Sequence, residues 1–556
     1  MMRTRFTSRA AARNKGLALV RSSVSVSASW MTARFLPGRF FGRPCAQAGL
    51  GIVLALGLAT AGCSTLDTAA NSVGNAITGG GGPPPGTPGY VSGFLGGVSA
   101  DEPRAALVAR EVLSGGGTAA EAAVAAAFML SVTLPSRAGL GGGGACLAYD
   151  PDKASVNGGV PEAVLFVPPP GGGSAAGPGA RPAAVPMMAR GLYALFARYG
   201  RRPFESLTIY AEQSARFGIP VSRALARDLA VVAGPLAGDP LARDIFFQPN
   251  GQPLAEGMTL TQPELGATLA QLRVAGVGDL HVGVLARKIV EASEQVGGGL
   301  TAASLRYSLP SYAPALAIDV PGGDQAVFLP PPADGGLAAA AAFRVLMASP
   351  GALPVAQERA MSVAAAWRAQ GGQGDPAALL AAQVPVASLP PLPASTSLVT
   401  LDRDGRAVAC TFSMNNLFGT GRIAPGTGVL LAASPAWMPP PLLSAGLAWN
   451  PNIHEFHAAV AASGQEGAPL AAADALLQSL QTGKRTVFSA EPPGQNTPQM
   501  LNIGPPVVLS SGVAMRPVPE PGRADAISCA GYLPGDAGSC AWYTDPRGAG
   551  LAVGGN

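Results

Sequence analysis

The feature that most constrains the fold is a proline-rich connector at residues 383–394, which contains four prolines and no charged residue. Proline lacks a backbone N–H group and restricts the residue before it, so this stretch is expected to join structural elements. Helical spacing of apolar residues dominates the chain before the connector. Short strand-like runs around the turn Asp402-Arg-Asp-Gly405 dominate the chain after it. The sequence therefore predicts a protein of mixed helix and sheet whose two parts meet at an exposed connector.

The connector ends at three small hydroxyl residues, Ser395, Thr396 and Ser397, which open a predicted strand. Ser and Thr are common where a loop meets a strand, so ordinary turn chemistry is one interpretation. The other interpretation is that the chain is cut before Ser395. The free α-amine of an N-terminal residue can then take the proton from that residue's own hydroxyl and make it an active nucleophile. An exposed connector, a hydroxyl residue and a strand are the features that such a site requires.

The distribution of charge argues against a nucleic-acid-binding surface. Nine basic residues precede residue 62, where no acidic residue occurs, and subtracting those nine from the formal charge of +4 leaves −5 for the rest of the chain. Duplex binding requires a clustered basic face. His281, His454 and His457 form no zinc spacing with the cysteines, and the turn at Asp402 lacks most ligands of a calcium loop. We therefore expect no metal, no cofactor and no nucleic-acid partner.

The first 62 residues predict an export signal. A basic region precedes the apolar run at residues 48–63, which is too short to read as a membrane span of about 20 residues. The small residues before Cys63 resemble a bacterial lipoprotein box, so lipidation of Cys63 is one outcome and cleavage after Ala61 is the other. We expect an exported protein, periplasmic or anchored to the bacterial envelope through Cys63, with residues 63–98 as a Gly/Pro-rich tether.

Six cysteines are few for a chain of 556 residues, so the sequence does not predict a disulfide framework. Cys529 and Cys540 lie close together in the sequence and could pair in an oxidising compartment. Cys146 and Cys410 lie in apolar, strand-like runs, where cysteine usually packs as a small apolar side chain. We expect that packing role for Cys146 and Cys410.

Several Gly-rich and Pro-rich motifs follow one another along the chain from residue 99 to the end. Thr118-Ala-Ala-Glu121 predicts a capping box at the start of a helix. The glycines at 141–144 lack the Lys-Ser/Thr of a phosphate loop and follow a helix, so they predict close backbone packing beside a strand. The motifs are Leu113-Ser-Gly-Gly-Gly-Thr-Ala-Ala-Glu121, Gly139-Leu-Gly-Gly-Gly-Gly144, Pro330-Pro-Pro332 with Gly335-Gly336, Asp404-Gly405, Phe418-Gly-Thr-Gly421, Pro425-Gly-Thr-Gly-Val-Leu-Leu431 and Asp545-Pro-Arg547.

In this order the motifs resemble those of the γ-glutamyltranspeptidases, or glutathione hydrolases, which are self-cleaving N-terminal-nucleophile hydrolases. The resemblance implies an α+β fold, a four-layer αββα sandwich whose two central antiparallel sheets are covered by helices on both sides. It also implies self-cleavage between Ala394 and Ser395. Residues 99–394 would then form a part like the family's large subunit, and residues 395–556 a part like its small subunit.

The resemblance also assigns roles to individual residues. Counting back from Gly405 puts Ser395 at the position of the family's nucleophile and Thr396 at the second position of its Thr-Thr pair. Ser413 falls where the family has a Thr that supports the nucleophile. Asn415 resembles the family's substrate-contacting Asn, and Ser444 falls in its substrate-binding serine pair. The implied catalytic residues are therefore Ser395, Thr396, Ser413 and Asn415, and the implied substrate-binding residues are Asn415 and Ser444.

The substrate pocket of the family is less well matched. Residues 432–437 stand where the family has two Asn and an acidic group for the substrate's α-amine. Gly158-Gly159 fall where it has the Arg for the α-carboxylate, and Gln465-Glu466 fall at the glycine pair of its oxyanion hole. Without paired charges the desolvation of an amino acid headgroup is not offset. The loss of one oxyanion donor typically lowers a rate about 100 to 1000-fold.

Three functions are consistent with these observations. The first is an exported amidohydrolase or transferase that acts on a γ-glutamyl or other small amide, with Ser395 as the nucleophile and its own amine as the base. The second is a catalytically silent family member that serves as an anchored binding or scaffold protein of the envelope. The third is self-cleavage that serves only maturation. The sequence favours the first and leaves the oligomeric state open.

Overall fold

The computed structural model describes residues 93–174, 180–481 and 522–555, which belong to a unit that runs from Gly81 to Asn556. The predicted export signal, Cys63 and most of the predicted tether lie outside the described residues. The first strand begins at Gly96, within the range assigned to the tether. No helix in the described part of the chain combines the length and apolar character needed to cross a membrane.

Two antiparallel sheets form the centre of the structure. The strands are Gly96–Ala100 (β1), Gly143–Tyr149 (β2), Glu162–Phe166 (β3), Ile219–Pro220 (β4), Thr259–Leu260 (β5), Ser311–Pro314 (β6), Leu316–Asp319 (β7), Gln325–Phe328 (β8), Thr396–Asp402 (β9), Ala407–Ser413 (β10), Ile423–Ala424 (β11), Val429–Leu430 (β12), Ser444–Asn450 (β13), Glu455–Ser463 (β14), Arg523–Leu533 (β15), Cys540–Thr544 (β16) and Leu551–Gly554 (β17). The first sheet has the order β17-β1-β9-β10-β2-β3-β6, and the second has the order β16-β15-β14-β13-β8-β7.

Helices cover the outer face of each sheet. They are Pro103–Ser114 (α1), Ala119–Thr133 (α2), Pro135–Ala138 (α3), Met188–Tyr199 (α4), Ile209–Phe217 (α5), Arg223–Leu236 (α6), Pro240–Phe246 (α7), Pro263–Ala275 (α8), Asp279–Val282 (α9), Val284–Gln295 (α10), Ala302–Tyr307 (α11), Asp334–Ala348 (α12), Leu353–Ala369 (α13), Pro376–Ala381 (α14) and Ala468–Gln481 (α15). Helices α1 to α11 share one apolar core with the first sheet, and α12 to α15 share another with the second sheet.

Side-chain alternation along the strands produces three apolar layers. In β9, Leu398 packs into the apolar core between the first sheet and α2, whereas Val399 and Leu401 point into the layer between the two sheets. A strand that is buried on both faces carries apolar residues at successive positions, as β9 does. The arrangement is helix, sheet, sheet, helix, which is the four-layer αββα sandwich that the resemblance implied.

Helix α2 is buried along its whole length and lies directly beneath β9. Its predicted capping box is confirmed: Glu121 N donates to Thr118 Oγ1 at 3.2 Å, and Thr118 N donates to a Glu121 carboxylate oxygen at 2.9 Å. The helix start is tied to β9 because Thr400 Oγ1 donates to Ala119 O at 2.7 Å. Because α2 is apolar all round, it can be placed only in the interior.

The glycine run at 141–144 is packed against backbone, as the sequence predicted. A Cβ atom on Gly141 would lie 2.1 Å from Leu430 O, and one on Gly144 would lie 2.2 Å from Thr411 O. Such distances are far shorter than any van der Waals contact, so only glycine fits. The close approach brings β2 and the segment around Leu430 together beside the end of β10.

The described part of the chain contains two disulfides, and one of them corrects the sequence-based expectation. The pairing of Cys529 with Cys540 is confirmed. Cys146 and Cys410, which were expected to pack as unpaired apolar side chains, are also bonded to each other, with their Cα atoms 4.0 Å apart. They lie directly opposite each other on β2 and β10. A separation of 264 residues hides this pairing until the strand register is known.

Candidate active site at Ser395

Ser395 lies where the two sheets meet. Its backbone N–H donates to Gly464 O at 3.0 Å, and its Oγ donates to the same oxygen at 3.2 Å. Gly464 follows the last residue of β14 in the second sheet, and Ser395 precedes the first residue of β9 in the first sheet. The connector at residues 383–391 contains no helix or strand, but Ala394 and Ser395 are buried. The predicted cut site is therefore held between the sheets and shielded from bulk water.

Ser413 contacts the carbonyl group of the bond that is predicted to be cut. Its Oγ donates to Ala394 O at 2.9 Å, and the backbone N–H of Asn415 donates to that Oγ at 2.9 Å. A donor aimed at a carbonyl oxygen stabilises the negative charge that develops there when a nucleophile attacks the carbon. The structure thus brings Ser395, Ser413 and Asn415 together, as the sequence predicted.

Asn415 presents an unused acceptor inside the protein. Its Nδ2 donates to Ala433 O at 3.0 Å, whereas Oδ1 is buried and has no hydrogen-bond partner among the described residues. Its backbone adopts a left-handed conformation with φ of 55°, which Asn tolerates better than most residues. A buried acceptor without a partner is costly, so a ligand that donates a hydrogen bond to Oδ1 would be favoured.

The other two predicted site residues are engaged elsewhere. Thr396 Oγ1 donates to Asp101 Oδ2 at 2.9 Å, so the structure places it as a support for the start of β9. Ser444 is fully buried, and its Oγ donates to Leu442 O of its own loop at 3.0 Å. Ser444 lies at the same end of the second sheet as Gly464, because it opens β13 opposite Ala462 of β14.

Arg137 is a site residue that the sequence analysis missed. Its Nη1 donates to Ser395 O at 3.3 Å, and its Nε and Nη2 pair with Asp228 at 2.8 and 2.6 Å. Both side chains are buried, and the Asp228 carboxylate also accepts a hydrogen bond from Ser136 Oγ at 2.6 Å. The only sequence signal was an arginine in an apolar stretch directly before the glycine run. This ion pair fixes the carbonyl group of Ser395 relative to α3 and α6.

Gln465 and Glu466, which the resemblance places at the family's oxyanion glycines, do not require an unusual backbone conformation. Gly464 has a positive φ of 122°, whereas Gln465 and Glu466 have ordinary negative φ values. Their other contacts are peripheral, because Gln465 Nε2 donates to Leu392 O and Glu466 O accepts from Gln357 Nε2 at 2.8 Å. Oxyanion holes of this kind use backbone N–H groups, which every residue except proline supplies. The side chains of Gln465 and Glu466 therefore leave the backbone N–H donors in place.

The expected position of the family's carboxylate-binding Arg at Gly158-Gly159 is wrong. Gly143 at the start of β2 pairs with Ser413, whereas Tyr149 at its end pairs with Ala407. Because a strand rises about 3.4 Å per residue, the loop after β2 lies about 20 Å from the Ser413 end.

The chain returns toward the site along β3, so Val167 and Pro168 are the residues that follow that strand near Gly143. Neither of them carries a charge.

A cavity of about 430 Å³ adjoins the segment that follows Asn415. Trp437, Leu417 and Phe418 line it, and Arg181 is its only charged side chain within the described part of the chain. Arg181 Nη1 donates to Thr420 O at 2.7 Å. Among the described residues no three His, Cys, Asp or Glu side chains are grouped to hold a metal ion.

Comparison with known proteins identifies relatives in sequence and in structure. Residues 105–370 match the family profile described as Gamma-glutamyltranspeptidase. The glutathione hydrolase proenzyme of Bacillus subtilis (strain 168) is 30% identical over 263 residues, which cover 43% of this chain and 42% of that protein. The corresponding proenzyme of Escherichia coli (strain K12) is 27% identical over 395 residues, covering 60% of this chain and 65% of that protein. The first of these matches thus spans less than half of the relative's length.

The fold is shared with a solved structure. A cephalosporin acylase from Bacillus halodurans superposes with a TM-score of 0.64 at 19% identity, over 85% of this chain and 98% of that chain. At this identity the likeness concerns the fold alone. It agrees with the four-layer arrangement, so the predicted fold class is confirmed.

Proposed function

Because the chain belongs to the γ-glutamyltranspeptidase family, we propose that it is an amidohydrolase or transferase that cuts itself before Ser395 and then uses Ser395 as its nucleophile. The observation that carries the proposal is the hydrogen bond of 2.9 Å from Ser413 Oγ to Ala394 O. It aims a donor at the carbonyl oxygen of the bond to be cut, next to a buried hydroxyl.

Self-cleavage would proceed by transfer of the acyl group from nitrogen to oxygen. Ser395 Oγ attacks the Ala394 carbonyl carbon and loses its proton, while Ser413 stabilises the negative charge on Ala394 O. The C–N bond then breaks, and the nitrogen of Ser395 takes a proton to become a free amine. Water hydrolyses the resulting ester, which leaves a carboxylate on Ala394 and a free hydroxyl on Ser395.

Turnover would repeat the same chemistry on a substrate. The α-amine of Ser395 takes the proton from Oγ, which attacks the amide carbonyl of the substrate and forms an acyl-enzyme. The proton passes to the departing amine. Water then releases the acyl group in hydrolysis, or a second amine takes it in transfer. Asn415 Oδ1 is the acceptor available for an N–H group of the substrate.

The proposed substrate is a γ-glutamyl or other small amide. The relatives named as glutathione hydrolases support the γ-glutamyl class. The uncharged residues at 167–168 and 432–437 favour the wider class, because an amino acid headgroup would lack its paired charges there.

We further propose that the protein is exported to an oxidising compartment, either periplasmic or anchored to the bacterial envelope. Two disulfides support this location, because such bonds persist where thiols are not kept reduced. The residues that would carry the signal and the lipid lie outside the described part of the chain, so this proposal depends on the sequence pattern there.

N-terminal sequencing of the bands on a reducing, denaturing gel tests self-cleavage. We expect a fragment that starts at Ser395 and spans 162 residues, which is 556 minus 394. Ser395→Ala should remain uncut because it lacks the attacking oxygen. Product release from γ-glutamyl anilides and from other small anilides then tests turnover. An uncut wild-type chain without activity would contradict the proposal and support a silent binding or scaffold protein.

A further inference from the structure

A carboxylate outside the proposed catalytic residues holds the first residues of β9. Asp101 directly follows β1, and its Oδ2 accepts hydrogen bonds from Thr396 Oγ1 and from Ser397 N, both at 2.9 Å. The same oxygen lies 3.2 Å from Ser397 Oγ. One carboxylate oxygen therefore holds the two residues that follow Ser395. Because β9 is rigid, this contact sets where Ser395 stands.

A second carboxyl group faces Ser397 from the other sheet. Asp525 of β15 is almost completely buried, and its Oδ2 lies 2.8 Å from Ser397 Oγ. Its Oδ1 lies 2.8 Å from Ser99 Oγ, whose hydroxyl group also contacts Tyr543 O. The hydroxyl group of Ser397 thus lies between two carboxyl groups, one at the end of β1 and one in β15.

The number of hydroxyl protons available indicates whether Asp525 is protonated. An ionised carboxylate only accepts hydrogen bonds, and the Ser397 hydroxyl has one proton to donate. It cannot donate to Asp101 and Asp525 at once. A proton on Asp525 completes the chain, because Asp525 then donates to Ser397 Oγ and Ser397 donates to Asp101. Burial raises the pKa of the Asp525 carboxyl well above its ordinary value, and the charge of Asp101 raises that pKa further.

The surrounding charges are consistent with one ionised group in this pair. Tyr543 of β16 and Asp101 face Asp525 from neighbouring elements, and Arg523 lies two residues away on the same strand. Arg523 and Arg137 line a small cavity beside Asp101. The arginines therefore lie on the Asp101 side of the pair, which favours Asp525 as the neutral member.

We propose that Asp525, Ser397 and Asp101 form a positioning chain for the nucleophile, in which Asp525 stays protonated in the working protein. The proposal rests on the proposed function, because the group it positions is the Ser395 hydroxyl. Loss of the Asp525 proton would place two like charges around one hydroxyl proton and weaken the hold on β9. Self-cleavage and turnover should therefore decline on the alkaline side.

Ionisation of Asp525 also affects the stability of the folded state, and proton linkage gives the direction of the change. The folded state holds the Asp525 proton more tightly than the unfolded chain does. The folded state therefore binds more protons over the pH interval between the two pKa values. The free energy of unfolding falls as pH rises through that interval. A neutral residue at position 525 should remove this decline.

Two variants at position 525 test the positioning chain. Asp525→Leu removes the donor to Ser397 and should slow self-cleavage at least about tenfold, because small displacements of reacting groups lower rates strongly. Asp525→Asn keeps a donor to Ser397 and cannot ionise, so it should rescue cleavage to within about twofold of wild type and abolish the alkaline decline. Asp324→Asn is a matched control, since Asp324 is a buried acid in the turn directly before β8 and is bonded to His457 at 2.6 Å.

The readouts separate this proposal from the proposed function. If Asp525→Asn fails to rescue cleavage, or keeps the alkaline decline of the wild type, the positioning chain is wrong. If the wild type is never cut, the proposed function fails, but the melting temperature can still be followed against pH. Wild type should then lose stability with rising pH while Asp525→Asn does not, and parallel curves would reject the protonated Asp525.

Discussion

Ser413 and Ser395 meet because a single hairpin carries both of them. Thr396 pairs with Phe412 in the register of β9 and β10, so the residue before Thr396 faces the residue after Phe412. The turn at Asp402 fixes this register, so counting back from Gly405 identified two residues that the hairpin places side by side. Arg137 and Asp525 could not be found in this way, because only the folded chain brings them to the hairpin.

Ser413→Ala should slow self-cleavage by about 100-fold, because it removes the donor to the Ala394 carbonyl oxygen. Ser413→Thr keeps the hydroxyl group and should cut at close to the wild-type rate. A time course of fragment release on reducing, denaturing gels measures both. Equal rates for Ser413→Ala and wild type would show that the contact does not assist cleavage.

Helix α2 shows how one element supports the site from beneath. Its amino end contacts β9 twice, through Thr400 Oγ1 to Ala119 O at 2.7 Å and through Ala119 N to Asp402 Oδ2 at 3.0 Å. The sequence predicted the helix and its capping box, because both depend on residues a few positions apart. It misplaced the Arg position at Gly158-Gly159, because the lengths of β2 and its following loop determine which end of the sheet they reach.

Thr118→Ala should lower the free energy of unfolding by about 1 kcal/mol, the usual effect of removing an N-cap side chain. The loss should reach the upper end of the usual range, because Thr118 Oγ1 also donates to the buried Tyr199 O at 3.1 Å. Ser222→Ala is a suitable comparison, since Ser222 caps the less buried helix α6 at 3.2 Å. Urea denaturation of both variants measures the difference. A smaller loss for Thr118→Ala than for Ser222→Ala would contradict this account.

At the scale of the whole molecule, both sheets draw strands from both sides of Ser395. In the first sheet β1, β2, β3 and β6 precede it, while β9, β10 and β17 follow it. The order of the motifs along the chain was enough to predict the fold class. The disulfide between Cys146 and Cys410 was not predictable, because it depends on the pairing of β2 with β10 across the cut site.

A cut before Ser395 should leave the two pieces covalently joined, because Cys146 precedes the cut and Cys410 follows it. We expect one band of full mass on a gel without reductant and two bands after reduction. Cys410→Ala should give two bands under both conditions. Replacing both Cys529 and Cys540 is the control, since that bond lies within one piece. Two bands from the oxidised wild type would contradict the expectation.

The place of β1 in the first sheet has a consequence for the lifetime of the protein. Strand β1 precedes the cut, yet it lies between β17 and β9, which both follow the cut. The uncut chain can insert β1 as it folds, but a cut molecule that opens would have to return β1 between two strands of a piece to which only the Cys146–Cys410 disulfide still joins it. Each molecule would then fold productively only once, and its working life would depend on how slowly it first opens.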